Sequence, residues 1–68
     1  MSITRVDARG LRCPWPVLRL ARAMRETDKV EILADDPAAP AEIKALAEVQ
    51  GWTIRAISGG FQVGAFEK

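Results

Sequence analysis

The sequence predicts an α+β fold, a two-layer α/β sandwich in which two helices cover one face of a four-stranded mixed sheet, in the order β-α-β-α-β-β. Three observations predict it. Short runs rich in β-branched residues alternate with two longer stretches whose apolar residues recur at helical spacing. The elements follow one another closely, with no linker or repeat between them. The last two strand-like runs meet at Gly59-Gly60, a hairpin signal, whereas the first two are joined through a helix and so run parallel by a right-handed crossover.

Ile3 to Ala8 reads as a short strand, and Gly10 lets the chain turn sharply after it because glycine tolerates positive φ. Residues 14–26 read as a helix. Val17, Leu20, Ala21 and Met24 make its apolar face, with Leu18 beside them and Arg19, Arg22 and Arg25 on the polar side. Val30 to Ala34 reads as the second strand. Asp35-Asp36-Pro37 has the composition of a helix start, with Asp36 as the cap and proline at the first helical position. Ile43, Leu46, Ala47 and Gln50 give that helix its stripe. Pro40 is expected to delay or break the first turn, and Gly51 to end the helix. Trp52 to Ser58 and Phe61 to Phe66 read as the closing strands. The sheet face away from the helices is expected to be partly bare.

With 68 residues the chain is long enough for one domain, 1–68, with a thin core and little room for an enclosed pocket. A site is therefore expected on the surface, completed by whatever docks there. No apolar run approaches the ~20 residues of a membrane span. The N-terminus has no secretory leader pattern. A cytoplasmic location follows as the expectation, and a single cysteine suits it, since small secreted domains usually carry several disulfides. Net charge is only +1, but it is unevenly spread. Residues 1–25 hold six arginines and one acid, Asp7, while residues 26–68 hold four basic and eight acidic residues. The basic part surrounds the cysteine, which points to an acidic partner or nucleic acid, or to nothing more than solvated arginines.

Cys13 stands just before the first helix, in Cys13-Pro14-Trp15-Pro16. Prolines are tolerated in a helix's first turn because those N–H groups have no intrahelical partner. Pro14 and Pro16 therefore fix the backbone there and place Cys13 at or next to the N-cap. The positive end of the helix dipole, adjacent Arg12 and nearby Arg9 all favour thiolate, the nucleophilic form. The chain has no histidine and no second cysteine. That excludes a Cys–His catalytic pair within one subunit, a zinc site of nitrogen and sulfur ligands, and dithiol exchange within the chain. A lone nucleophilic thiol can hold a sulfane sulfur, because no neighbouring thiol expels it as a disulfide. A buried structural cysteine is the plainer alternative.

The stretch Val6-Asp7-Ala8-Arg9-Gly10-Leu11-Arg12-Cys13-Pro14-Trp15-Pro16 resembles the TusA/SirA family of sulfur-carrier proteins, with its Cys-Pro-x-Pro motif after an Asp-x-x-Gly-Leu approach. Ala34-Asp35-Asp36-Pro37-Ala38 is similar to the family's second motif, so the resemblance spans nearly the whole chain. It implies a two-layer α/β sandwich and a persulfide relay. Cys13 would take sulfur from a cysteine desulfurase or rhodanese-like donor and pass it to an acceptor protein's thiol. Routes served by the family include tRNA thiolation, molybdenum-cofactor supply and sulfur oxidation. No cofactor beyond the covalent persulfide, no metal, no membrane and no direct nucleic-acid contact are implied. Two stretches differ from the usual family pattern, Ala41-Glu42-Ile43-Lys44-Ala45-Leu46 in the second helix and the closing Phe61-Gln62-Val63-Gly64-Ala65-Phe66-Glu67-Lys68.

Around the cysteine, Gly10, Pro14 and Pro16 are expected to support the motif, and Arg9, Arg12, Trp15, Arg19 and Arg22 to dock partners. Trp15 reads equally as an apolar anchor or as packing against the sheet edge. Asp35 reads as a hydrogen-bond partner of the first motif or as a solvated acid. Trp52, Phe61 and Phe66 read as core or sheet surface. Two further classes of function compete with the carrier: a binding module for RNA or an acidic protein, in which Cys13 is dispensable, and a thiol redox regulator, in which Cys13 is oxidised.

Overall fold

In β2 (Lys29–Leu33), Val30 and Ile32 are fully buried while Lys29, Glu31 and Leu33 between them are half-buried, the period of two that a strand with one core face requires. The computed structural model describes residues 3–12 and 14–65. Within them, β1 (Thr4–Asp7), α1 (Trp15–Met24), β2, α2 (Ala39–Gln50), β3 (Thr53–Ile57) and β4 (Gly60–Gly64) follow in the expected order. The strands lie as β1-β2-β4-β3, with β1 parallel to β2 and the other neighbours antiparallel. Register aligns Val6, Ile32, Phe61 and Ala56 in one row, and Val30, Val63 and Ile54 in the next. Leu20 of α1 and Ile43 of α2 are buried against these rows, so both helices cover the same face. Trp52 and Phe61 pack against this core; Phe66 lies outside the described residues.

The opposite face carries the row Arg5, Glu31, Gln62, Arg55, in which Arg5 Nη2 and Glu31 Oε1 pair at 2.8 Å. An open groove of about 340 Å³, lined by Lys29, Thr53, Arg55, Gln62 and Gly64, lies on this sheet at the end remote from the Asp7–Leu33 pair. No helix among the described residues is long and apolar enough to cross a membrane.

Several expectations are corrected in detail. α1 begins at Trp15, not at residue 14, and ends at Met24. Its buried residues are Pro16 and Leu20; Val17, Ala23 and Met24 are partly buried beside them. Pro16 thus serves as a core side chain as well as a backbone constraint. α2 starts at Ala39, later than the Asp35-Asp36-Pro37 composition suggests. The Ala39 N–H donates to the Asp36 carbonyl at 2.9 Å, closing a turn in which Pro37 takes the second position that proline favours. The N-cap is accordingly Ala38, without a side-chain cap, and Pro40 falls in the first turn, where its missing N–H costs little. Gly51 ends α2 at φ 77°, and Trp52 N–H reaches back to the Ala47 carbonyl at 2.9 Å. Gln50 is exposed, while Ala39, Ile43 and Ala47 form the buried stripe. In the hairpin the turn is Ser58-Gly59, and Gly60 belongs to β4, paired with Ile57.

Candidate functional site

Hydrogen bonds, some local and some reaching to the segment after β2, shape the connection from β1 to α1. Ala8 is fully buried; its N–H donates to the Leu33 carbonyl at 2.7 Å, and its carbonyl accepts Leu11 N–H at 3.2 Å. The turn so formed needs a residue with positive φ at its third position, and Gly10 supplies it at φ 84°. Asp7 Oδ1 accepts the Arg9 backbone N–H at 3.1 Å and Arg9 Nε at 2.9 Å, while Oδ2 accepts Nη2 at 2.8 Å. The Asp7 side chain therefore closes the start of the loop on itself. Finally, Gly10 N–H donates to Asp35 Oδ1 at 2.9 Å, tying this loop to the segment after β2.

Past Leu11, which packs against the core, the Trp15 N–H donates to the Arg12 carbonyl at 2.8 Å. Pro14 is the N-cap of α1, with φ −98° and ψ 15°, and Leu18 N–H bonds its carbonyl at 3.0 Å. Cys13 lies outside the described residues; in sequence it immediately precedes that N-cap. The first turn of α1 contains no acid, so no carboxylate there offsets the positive helix end.

Hydrogen bonds from the Arg9 side chain and backbone pull the Asp7 carboxyl from 3.8 down to about 2. The same pairing raises the Arg9 guanidinium further above its ordinary value. Because the folded carboxyl ionises below its unfolded value, its contribution to stability is complete above pH 3.8 and is lost as pH falls toward about 2. Asp7→Asn is expected to weaken the fold at neutral pH, the deficit shrinking across that acid window. Urea unfolding midpoints of both proteins as a function of pH check this; a constant difference down to pH 2 contradicts it.

The structure separates the arginines into two classes. Arg9 is folded onto Asp7 and Arg5 onto Glu31, so neither presents a free charge. Arg12, Arg19, Arg22, Arg25 and Arg55 are exposed and form no ion pair among the described residues. Trp15 is 58% exposed and does not pack into the sheet edge. Pro14 is exposed and Pro16 buried. Asp35 meets the loop of the first motif, whereas Asp36 gives its carbonyl to the turn before α2. One residue escapes the sequence reading: Asp7 organises the loop, a role signalled by an acid two positions before Arg9. Leu18, expected beside the apolar face, is 49% exposed, while Val17, Leu20 and Met24 of that face pack into or against the core, joined by Pro16.

Comparison with known proteins bears on this loop and its surroundings. Residues 4–66 match the family model described as Sulfurtransferase TusA. A candidate sulfur carrier protein of Archaeoglobus fulgidus is 49% identical over 49 residues, covering 68% of this chain. That match spans 64% of the relative's own length, a little under two thirds. Among solved structures, the crystal structure of a SirA-like protein from Desulfitobacterium hafniense superposes with a TM-score of 0.73 at 28% identity, covering 91% of this chain and 92% of that one.

Proposed function

Because the chain belongs to the TusA sulfurtransferase family, whose model its residues 4–66 match, we propose that it takes up sulfane sulfur as a persulfide on Cys13 and relays it to an acceptor protein thiol. Within that family match, the observation that supports the reading best is the frame around the cysteine. Pro14 caps α1 directly after it, the first turn holds no acid, and Arg12 precedes it with no ion pair among the described residues. Helix dipole and guanidinium both favour a thiolate at residue 13.

In the uptake step the Cys13 thiolate attacks the outer sulfur of a donor persulfide. A new S–S bond forms at Cys13 while the donor's S–S bond breaks, and the donor cysteine departs as thiolate. Delivery repeats the exchange in the other direction, with an acceptor thiolate attacking the outer sulfur of Cys13 persulfide and Cys13 leaving as thiolate. One sulfur atom moves at each step, and no external oxidant is consumed. The absence of another cysteine in the chain keeps the loaded form from collapsing to an internal disulfide.

Intact-protein mass spectrometry tests the proposal, after incubation with a cysteine desulfurase and cysteine, or with a rhodanese and thiosulfate. The wild type is expected to gain about 32 Da, reversibly with a reductant, and Cys13→Ser to gain nothing. The better donor then separates a route fed by cysteine from one fed by thiosulfate. No gain with any donor, from reduced and folded protein, rejects the relay.

A further inference from the structure

We propose that the outward stripe of α1, Trp15, Leu18, Arg19 and Arg22, is a docking surface for a protein partner whose matching face is an apolar socket rimmed with carboxylates. The inference rests on the relay reading and says which chemistry selects the partner. Burial of Pro16 and Leu20 fixes the rotation of α1, so residues 15, 18, 19 and 22, at helical spacings of three and four, share its solvent side.

The stripe has two parts. At the end next to Cys13 in sequence, Trp15 and Leu18 are 58% and 49% exposed and one turn apart, so their apolar surfaces adjoin. Val49 is more exposed still, but it stands among exposed polar neighbours in its helix, as single surface apolar residues commonly do. Farther along α1, Arg19 and Arg22 present cations with no ion pair among the described residues, and α1 contains no acid to neutralise them. Arg5 and Arg9, by contrast, are held by Glu31 and Asp7, while Arg12 and Arg25 flank the stripe and extend its positive charge. Free cations beside an apolar pair call for carboxylates around an apolar socket.

Trp15 is also suited to act as an anchor. It stands between Pro14 and Pro16, whose rings restrict the backbone on both sides, and Pro16 is pinned in the core. Seating it therefore costs little backbone ordering. A single Trp and Leu on one turn make too small an apolar face for a membrane surface, which needs such residues along a whole amphipathic helix.

Transfer from two kinds of donor separates docking from chemistry. Inorganic polysulfide needs no docking; a cysteine desulfurase with cysteine, or a rhodanese with thiosulfate, does. The expected result for Trp15→Ala combined with Leu18→Ala is a loss of about 30-fold in kcat/KM with whichever protein donor loads the wild type. Polysulfide loading should stay within about twofold of wild type, because neither side chain takes part in the hydrogen bonds that shape the loop among the described residues. Arg19→Glu with Arg22→Glu should slow the protein donor about tenfold, and raised ionic strength should bring wild type toward that variant. Trp15→Phe should retain most of the rate. Circular dichroism checks that the variants stay folded, as substitution of exposed residues predicts. Unchanged protein-donor rates, or an equal fall with both donors, overturn the inference. So does binding of the wild type to anionic phosphatidylserine vesicles that the double alanine variant loses without any change in protein-donor transfer. If polysulfide also fails to load the wild type, the relay reading itself falls, and this inference with it.

Discussion

Gly60→Ala is expected to lose much of the domain's stability. A Cβ built on Gly60 would overlap the Ile32 carbonyl oxygen, and it would stand 2.8 Å from the Ile32 carbonyl carbon and 2.9 Å from Leu33 Cα. All three obstacles are backbone atoms of β2, the strand to which β4 is paired, so no side-chain rotation relieves them. Relief requires parting β2 from β4, and β4 also holds β3 in the sheet. The cost should reach about 4 kcal/mol, the range in which a single substitution is exceptional. A domain of this length has roughly 3–10 kcal/mol in total. Gly59→Ala provides the contrast. There the added Cβ meets only Leu33 Cδ2, at 3.9 Å, and the penalty is that of φ 78° for a residue with a side chain, about 1–2 kcal/mol. Circular dichroism and urea unfolding should show the Gly60 variant with a midpoint far below wild type, or unfolded, and the Gly59 variant with a modestly lowered one. Equal behaviour would mean that the sheet tolerates the Cβ and that the close approach has no energetic weight.

Asp35→Ala is expected to slow persulfide loading of Cys13 by about tenfold while the protein remains folded. Asp35 Oδ1 is the only side-chain acceptor for the Gly10 N–H among the described residues, and that bond joins segments 25 residues apart. Losing it lets the loop that leads into Cys13 sample more positions, which penalises a reaction that depends on where the thiol stands. Asp35→Asn separates geometry from charge, since it keeps an acceptor oxygen and removes the negative charge. If the hydrogen bond matters, Asn should load close to the wild-type rate and Ala should not. If instead the carboxylate's charge matters, Asn and Ala should shift together. Hydrogen exchange at the Gly10 amide gives an independent reading: protection should persist in Asn and fall in Ala. Unchanged exchange and unchanged rate in Ala would leave Asp35 without a positioning role.

These two residues also mark where the sequence is informative and where it is not. Periodicity suffices for Val30 and Ile32, because a strand with one buried face must alternate. It suffices for Gly51, because the stop of α2 is a local event. The Gly59-Gly60 pair signals the hairpin, yet it cannot say that one glycine serves the turn and the other a neighbouring backbone, since Ile32 is remote in sequence. The bond from Gly10 to Asp35 is a tertiary contact, invisible in local sequence for the same reason. Pro16 reads from its motif as a backbone device, and nothing local shows that its ring also joins the core. Asp-Pro serves a turn as readily as a cap, so α2 starts later than its composition suggests. The fold class, the element order and the site loop were legible, since each rests on patterns within a few residues. The exposure of Trp15 and Leu18 depends on how the helix is turned against the sheet, which local patterns do not carry.

The strand order has a consequence for how such a chain comes into being. β4 follows β3 in the chain but lies between β2 and β3 in the sheet. A nascent chain that has reached only residue 57 has its cysteine, both helices and three strands, but β2 still lacks one neighbour and β3 has no place to pair. The central seam is closed only when residues 60–64 have left the ribosome. Until then the β1–α1 loop rests on an unfinished sheet. A chain truncated before Gly60 is left with an unpaired β2 edge, the kind of edge that invites pairing with another chain.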